Sequence, residues 1–292
     1  MMYKMKLQKT PFQMIKSGEK TIELRLNDEK RKKIKVGEVI EFALADDPSK
    51  TLFAQVTGLR AFSSFRELYN ELPLLKCGYT EENIGTASPD DMDVYYSKDD
   101  QRKYGVLGIE IKLIPPIETK RLILRPWREE DAEELYKYAS DPAVGPSAGW
   151  QAHTSVENSL QVIRDILAAP ETYAIVLKET GLPVGSIGLH FRSAFVERQD
   201  EAELGFWLGA SYWGQGLAAE AAREMLRHAF EDLFLARVWC GYFDGNERSK
   251  RVQEKLGFMY QRTALNVSVR QLNETRTVHV NLLTKEAWIS GK

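Results

Sequence analysis

The sequence has little of what marks several common classes of protein. Two cysteines, Cys77 and Cys240, lie far apart in a chain of 292 residues, which excludes a disulfide framework and a C-x-x-C metal site. The four histidines fall in no H-x-x-x-H pattern, so we predict no metal. No apolar run is long enough for a membrane span or a signal peptide, and the net charge of -2 gives no general attraction to nucleic acid. We therefore expect a cytoplasmic protein with free thiols and no membrane partner.

The chain is long enough for two folded units. At roughly 100–200 residues per domain, two domains are expected. A strand-like run over 105–114 ends at Pro115 and Pro116, where two missing backbone donors disfavour any continuation. We place the boundary there and expect domains at 1–115 and 117–288.

The second domain has the pattern of a mixed α/β fold. Apolar pairs recur every four positions from Leu217 to Leu233, which predicts a helix over 217–233 with one continuous apolar stripe. Other helices are predicted over 128–140, 155–168 and 246–256. Strands are predicted over 121–126, 172–178, 184–191, 201–209, 236–243, 258–269 and 276–284.

A glycine-rich turn joins a predicted strand to that helix. Gly214 and Gly216 let a ligand approach the backbone without meeting a side chain. The first turn of a helix leaves about four N–H groups unpaired, and the helix dipole favours negative charge there. The sequence therefore predicts a pyrophosphate cradle of backbone amides, with a purely structural tight turn as the alternative.

These residues resemble a known signature. The segment WGQGLA, from Trp213 to Ala218, resembles the acyl-CoA motif R/Q-x-x-G-x-G/A of the GNAT acetyltransferases, with Trp213 replacing Arg or Gln. Segments at 119–131, 185–189 and 246–258 resemble the branch of ribosomal-protein N-terminal acetyltransferases. The resemblance covers residues 117–288 and implies acetyl-CoA as the cosubstrate. The residues that it implies for cofactor binding are Leu208, Trp213, Gly214, Gln215, Gly216, Leu217, Ala218 and Asn246.

An amine must lose a proton before it attacks a thioester. The reaction therefore needs a base, a donor to the oxyanion and an acid for the leaving thiolate. Glu203 resembles the strand glutamate of the superfamily's histone acetyltransferases, and apolar neighbours are expected to raise its pKa. Glu201, on the same face of the strand, is an alternative base, and a solvated Glu203 is the non-catalytic interpretation. The resemblance implies backbone N–H groups near Leu208 as oxyanion donors, and we choose Ser249 as the acid.

The first domain contains a separate motif, FQMIKSGEKTIELR at 12–25. It predicts a helical turn and then a strand with Thr21, Glu23 and Arg25 on one face. Short strands with turns at this spacing predict a small β-barrel.

Over about 2–113 the chain resembles the ASCH domain, a barrel related to PUA RNA-binding domains. The two resemblances imply an α+β fold class for the whole chain, with a small PUA-like β-barrel followed by a GNAT mixed α/β domain. The resemblance implies an RNA or nucleotide-like ligand, and the residues implied for it are Lys20, Thr21, Glu23 and Arg25. Some small members hydrolyse acylated cytidine with a lysine and a threonine near this motif. Lys20 matches the lysine, but Glu23 replaces the threonine, so the hydrolase activity does not carry over directly. A salt-bridged surface cluster is the alternative.

Charge is polarised within this domain. Residues 1–37 hold 11 Lys and Arg against 4 Asp and Glu, whereas residues 38–114 hold 8 against 14. The basic run from Lys30 to Lys33 lies in a predicted turn. It indicates either an anion- or RNA-binding patch or a solvated loop.

These features predict transfer of an acetyl group from acetyl-CoA to a primary amine, on a protein N-terminus or a small molecule. The first domain is predicted to bind RNA or a modified nucleotide. One alternative is a CoA-sensing RNA-binding regulator without turnover, and another is a small-molecule detoxifying acetyltransferase. The loop at 142–153, which faces the acceptor in this interpretation, does not identify that acceptor.

Overall fold

The computed structural model of the protein describes residues 2–291, and the chain divides into two compact units between Pro115 and Pro116. Pro115 is the last residue of the first unit, and Pro116 is the first residue of the second. None of the helices among the described residues is both long and apolar enough to cross a bilayer.

The first unit is built on a curled five-stranded sheet. Its strands are β1 (Met2–Leu7), β2 (Ile22–Leu26), β3 (Val39–Leu44), β4 (Asp47–Phe62) and β5 (Val106–Ile114). Its helices are α1 (Lys9–Ser17), α2 (Phe65–Glu71), α3 (Leu74–Cys77) and α4 (Lys98–Tyr104). The strand order is β1-β3-β4-β5-β2, with β1 parallel to β3 and the other pairs antiparallel.

Strand β2 buries both of its faces. Its apolar residues Ile22, Leu24 and Leu26 pack with the α2 residues in one core, as the alternating pattern predicts. The polar face is not on the surface, however, because Glu23 is only 4% exposed. The alternation identifies which residues share a face, but it does not show that the rest of the barrel covers the second face.

A side chain bridges the seam of this curled sheet. In the strand order, β1 and β2 are the two edges, and Arg25 of β2 donates from Nη2 to the carbonyl oxygen of Lys6 in β1 at 2.9 Å. The sheet therefore curls far enough for its two edges to meet through one guanidinium group.

The second unit is built on an eight-stranded sheet in the order β12-β13-β11-β10-β9-β8-β7-β6. Its strands are β6 (Ile117–Glu118), β7 (Leu122–Pro126), β8 (Thr172–Leu177), β9 (Pro183–His190), β10 (Glu201–Leu208), β11 (Arg237–Phe243), β12 (Met259–Val269) and β13 (Glu274–Thr284). Its helices are α5 (Ala132–Ala139), α6 (Gly145–Ala148), α7 (Val156–Val162), α8 (Leu217–Arg227), α9 (Glu247–Lys255) and α10 (Lys285–Ser290). The α+β class expected from the sequence is confirmed.

Strands β10 and β11 pair only at their start. Their parallel register joins Glu201 to Arg237 and ends at the pair Glu203 and Trp239. Beyond that pair the two strands diverge, although β10 continues to Leu208. The sheet therefore opens into a wedge at its centre, which leaves backbone groups on the facing sides of both strands without a strand partner.

Two of the predicted helices end in a wider turn. The helix predicted over 217–233 is α-helical to Arg227 and then π-helical over His228–Asp232, and α7 continues in the same way over Ile163–Leu167. A π turn adds a residue to the helical turn without interrupting the apolar stripe, so apolar spacing alone does not reveal it.

The π turn after α8 holds a charged cluster. His228 lies 2.9 Å from Glu171 through Nε2 and 2.9 Å from Asp232 through Nδ1. Burial lowers the pKa of His228, but the hydrogen bonds with Glu171 and Asp232 outweigh it, so the pKa is raised overall. The protonated imidazole therefore stabilises the fold at low pH, and this contribution is lost as the pH rises through the raised pKa.

We expect His228→Ala to lower the free energy of unfolding by about 1–3 kcal/mol at pH 6, the usual scale for hydrogen bonds to charged groups. At pH 8.5 the loss is expected to be smaller, because the imidazole is neutral in the parent protein too. Urea unfolding at the two pH values measures the difference. An equal loss at both would show that the charge on His228 does not contribute.

Candidate functional site

A cavity of about 1150 Å³ fills the wedge between β10 and β11. Its walls come from the second half of both strands, the glycine-rich turn before α8 and the exposed face of α9. Phe206 and Leu208 line one wall, and Tyr242 and Phe243 line the other. A mainly apolar cleft of this size suits a ligand with a partly apolar arm.

The glycine-rich turn leaves open space at one end of this cavity. Gly214 and Gly216 have φ of 75° and 78°, a left-handed conformation that favours glycine. A Cβ atom at Gly214 would meet no heavy atom within 4 Å, and one at Gly216 would meet only Arg121 Nη2, at 3.8 Å. Gly216 is also the N-cap of α8 and offers no side-chain cap. The unpaired amides of the first turn therefore face a space that an anion fits.

The other residues of the predicted cradle divide into two groups. Trp213, Leu217 and Ala218 line the cavity with the two glycines. Gln215 instead turns outward, because its side-chain Nε2 donates to the Ser211 carbonyl oxygen at 2.9 Å. Its place in the motif is thus explained by the shape of the turn.

An arginine that the motif analysis did not single out supports this turn. Arg121 Nη1 donates to the Gln215 carbonyl oxygen at 3.1 Å, and Arg121 Nε donates to Glu220 Oε2 at 2.7 Å. Thr119 Oγ1 donates to the same carboxylate at 2.7 Å. The start of β7 thereby holds the turn carbonyl away from the space beside Gly216. Thr119 and Arg121 lie at the start of the segment at 119–131. The resemblance of that segment to the family was the sequence feature that could have identified them.

Trp213 supports the end of β10. Its Nε1 donates to the Leu208 carbonyl oxygen at 2.9 Å, and the Arg248 guanidinium lies 3.7 Å from the centre of its ring. Arg248 also lines the cavity. The tryptophan in place of the motif's Arg or Gln therefore positions a cation beside the cradle by stacking.

The register of β9 and β10 fixes where the amides near Leu208 point. Gly209 N–H donates to the Val184 carbonyl oxygen at 2.9 Å, and the antiparallel register continues back along β10. Because such a ladder alternates, the Trp207 amide faces β9, whereas those of Phe206 and Leu208 face the wedge. Two N–H groups thus point into the cavity.

Glu203 and Glu201 lie in different environments, although they are two residues apart on the same face of β10. Glu203 lines the cavity, and burial raises its pKa despite a hydrogen bond from Ser193. Glu201 is only 2% exposed and accepts hydrogen bonds from Trp239 Nε1 and Arg237 Nη1, each at 3.1 Å. Burial favours its neutral form, but these donors outweigh that effect and lower its pKa. Glu201 thus has the environment of a structural ion pair.

Asn246 and Ser249 both line the cavity at the start of α9. Asn246 Oδ1 caps the helix by accepting from the Ser249 N–H at 3.2 Å, and its Nδ2 donates to the Ser147 carbonyl oxygen at 3.2 Å. Ser249 Oγ accepts a hydrogen bond from Gln253 Nε2 at 3.1 Å. This bond occupies an oxygen lone pair and leaves the hydroxyl proton available for donation.

His190 was missed in the sequence. It lies opposite Glu203 in the β9–β10 register and lines the same cavity. No sequence motif includes His190. The sequence also does not show which residues of β9 and β10 face each other, because the loop between the two strands does not fix their register.

In the first unit, the predicted ligand residues form a buried ion cluster. Glu23 lies 3.3 Å from Lys20 Nζ and 2.8 Å from Arg25 Nε. Lys20 is 5% exposed and also donates to the carbonyl oxygens of Ile22 and Cys77. Thr21 uses its backbone, with its N–H donating to the Lys76 carbonyl oxygen at 2.9 Å. The cluster is salt-bridged, as expected for the surface-cluster alternative of the sequence analysis, but it is buried and not on the surface.

The basic run adjoining this cluster is partly neutralised. Arg31 pairs with Asp28, and Lys32 pairs with Glu29 at 2.8 Å, in a short 3-10 helix over Arg31–Lys33. Within residues 2–291, no group of three His, Cys, Asp or Glu side chains is arranged to hold a metal ion.

Comparison with known proteins places both units in families. The GNAT acetyltransferase domain matches residues 121–259, and the ASCH domain matches residues 5–115. An uncharacterized N-acetyltransferase, p20, of Bacillus licheniformis is 30% identical over 145 residues, 48% of this chain and 80% of that protein. The FsC-acetyl coenzyme A-N(2)-transacetylase of Aspergillus fumigatus is 30% identical over 164 residues, 53% of this chain and 70% of that protein.

The fold is shared with solved structures. A GNAT-family acetyltransferase from Bacillus anthracis matches with a TM-score of 0.52 and 23% identity, covering 59% of this chain and 99% of the other. The chain therefore belongs to the GNAT acetyltransferase family, with an ASCH domain preceding its acetyltransferase domain.

Proposed function

We propose that this acetyltransferase takes the acetyl group from acetyl-CoA and transfers it to a primary amine. The observation that carries the proposal is the open space beside Gly214 and Gly216 at the end of a wedge-shaped cavity. The cradle suits the pyrophosphate, and the wedge suits the extended arm that carries the thioester. The name of the Aspergillus relative, which includes acetyl coenzyme A and N(2), supports this donor and a nitrogen acceptor.

The cavity residues offer the groups that the reaction needs. Glu203 accepts a proton from the acceptor ammonium, since its raised pKa brings it closer to neutral pH. The N–H groups of Phe206 and Leu208 stabilise the negative charge that develops on the thioester oxygen. Ser249 donates a proton to the leaving thiolate, and Gln253 orients the serine.

The acceptor is proposed to be either a protein N-terminus or a small molecule. The decisive experiment measures thiol release from acetyl-CoA with a panel of free peptides, acetyl-blocked peptides and small amines. Release with free peptides alone supports an N-terminal acetyltransferase, and release with small amines alone supports the detoxifying alternative. Binding of acetyl-CoA without release for any amine supports the regulator that does not turn over. A cytoplasmic location stays a prediction.

For the ASCH domain we propose binding of RNA or a modified nucleotide, supported by the excess of basic residues within 1–37. Phosphate contacts make such binding depend steeply on salt. The test titrates the full chain with RNA oligonucleotides and nucleosides at low salt, with Lys30 and Lys33 replaced by Gln in a variant. The variant should bind with a flatter salt dependence. No binding by the parent chain would leave this unit as a structural or protein-docking module.

The buried cluster has a stability consequence of its own. Glu23→Ala leaves the buried Lys20 and Arg25 without their shared counter-charge, so we expect it to cost about 3–5 kcal/mol in urea unfolding of the first unit. Glu29→Ala is the matched control, because Glu29 also pairs with a lysine but is exposed, and it should leave the urea midpoint nearly unchanged. Equal losses for the two variants would contradict the buried-cluster interpretation.

A further inference from the structure

The proposed reaction releases more than one proton from the acceptor nitrogen. The ammonium R–NH3+ carries three hydrogens and the product amide R–NH–CO–CH3 carries one, so two protons leave the nitrogen. The first leaves before the nitrogen lone pair attacks the thioester carbon. The second leaves as the carbon–sulfur bond breaks, and the departing thiolate takes up one proton to give CoA–SH. One base beside the nitrogen accounts for only one of the two departures at a time.

A second proton acceptor lies beside Glu203 in the structure. His190 ends β9, and its Cα partner in β10 is Glu203, so the two side chains leave adjacent strands on the same face. Both line the cavity. The two residues are therefore neighbours at the point where the wedge begins.

The ring of His190 lies over Gly205 in β10. The position that a Cβ would take at Gly205 lies only 3.0 Å from His190 Nε2. The imidazole thus covers the place where a side chain of residue 205 would project. Gly205 follows Glu203 by two residues, so the ring lies on the face of β10 from which the Glu203 side chain projects.

We propose that His190 and Glu203 form a proton-accepting pair for the acceptor nitrogen, in which the imidazole Nε2 takes one proton and the carboxylate the other. This proposal rests on acetyl transfer to an amine as the function of the cavity. It adds a catalytic residue that lies outside the acyl-CoA motif. Gly205 acquires a role as well, because any larger residue there would displace the ring.

The surroundings of the pair favour an imidazole that is ready to accept. His190 keeps part of its surface exposed, and desolvation by the surrounding atoms lowers its pKa, which favours the neutral ring. The titratable and charged residues that line the same cavity are Glu203 on β10, Cys240 and Tyr242 on β11, Asp165, Tyr212, Arg248, Arg251, Lys255 and Arg270. Burial and the charge of Glu203 keep the pKa of Cys240 well above its ordinary value, so the thiol stays neutral. Ser193 holds Glu203 through a hydrogen bond.

The test compares the full-length parent chain with His190→Gln, Glu203→Gln and the double variant, by thiol release with an amine that the parent accepts. We expect His190→Gln to lower kcat about 100-fold, the usual scale for a proton-transfer group, and to remove one ionisation from the acidic side of the pH–rate profile. The double variant is expected to fall little below Glu203→Gln alone, because groups that act as a unit are not additive. Acetyl-CoA affinity in calorimetry should stay unchanged in all three variants.

A matched control is available in the same unit. His279 lies outside the predicted acceptor loop and does not line the cavity, and its ring is hydrogen-bonded to Thr263 Oγ1 and to Asp244 Oδ1, each at 2.9 Å. His279→Gln should keep the parent's kcat and pH profile. A His190→Gln variant with the parent's kcat and pH profile overturns the pair, while release by the parent still supports acetyl transfer. No release by the parent with any amine overturns both.

Discussion

Glu203→Gln should lower kcat about 100-fold or more at neutral pH, because it removes the carboxylate that accepts a proton and keeps the shape of the side chain. In the parent protein, activity should fall as the pH drops through the pKa of Glu203, which burial raises above its ordinary value. The variant should lose that dependence. Thiol release across pH 5–9 measures both effects, and acetyl-CoA affinity should hardly change.

Glu201→Gln is the matched control two residues earlier. Its carboxylate is held by Trp239 and Arg237, so the substitution should reduce stability and leave the pH profile of the reaction intact. Should Glu203→Gln retain the parent's pH profile while Glu201→Gln loses it, the assignment of the base would pass to Glu201. A profile unchanged in both would indicate a water chain.

Gly216→Val should weaken acetyl-CoA binding at least about 100-fold, the scale of two lost hydrogen bonds to a charged group. The valine side chain would enter the space beside the first turn of α8, where the structure leaves room for an anion. Calorimetry with CoA measures the loss. The same substitution also strains the backbone, because φ is 78° at this glycine and the left-handed region costs a β-branched residue about 1–2 kcal/mol.

Gly181→Val separates the two effects. Gly181 has φ of 71° with nothing within 4 Å of its Cβ position, and it lies in the turn between β8 and β9, away from the cavity. It should lose similar stability and keep its CoA affinity. If the two variants bound CoA equally well, the pyrophosphate assignment would be wrong.

The local geometry of a single continuous segment was predictable from the sequence. The glycine turn and α8 are adjacent along the chain, so the spacing of Gly214, Gly216 and the apolar stripe contains the whole local geometry. The start and type of α8 follow from the same stripe. Both positions have a left-handed backbone conformation, which is the physical reason that the motif has glycine there.

Residues brought together by pairing or by burial could not be read in this way. His190 meets Glu203 only through the strand register, and Arg121 reaches Gln215 across 94 positions of sequence. Glu201 and Glu203 lie on the same face of β10. The hydrogen bonds from the β11 residues Arg237 and Trp239 reach Glu201, however, and they hold it in an ion pair. The sequence left open whether the Lys20 cluster is a ligand site or a salt-bridged surface group, because alternation does not reveal what covers the second face of a strand.

The side-chain bridge between β1 and β2 has a further consequence, for association between molecules. Strand edges with unpaired backbone groups are templates to which another chain can add. At this seam, an incoming strand would have to displace the Arg25 guanidinium from the Lys6 carbonyl oxygen. That same guanidinium is paired with the buried Glu23, so its removal would leave a carboxylate with less compensation in the interior. The Arg25 bridge therefore disfavours aggregation at this seam, because displacing the guanidinium would cost free energy.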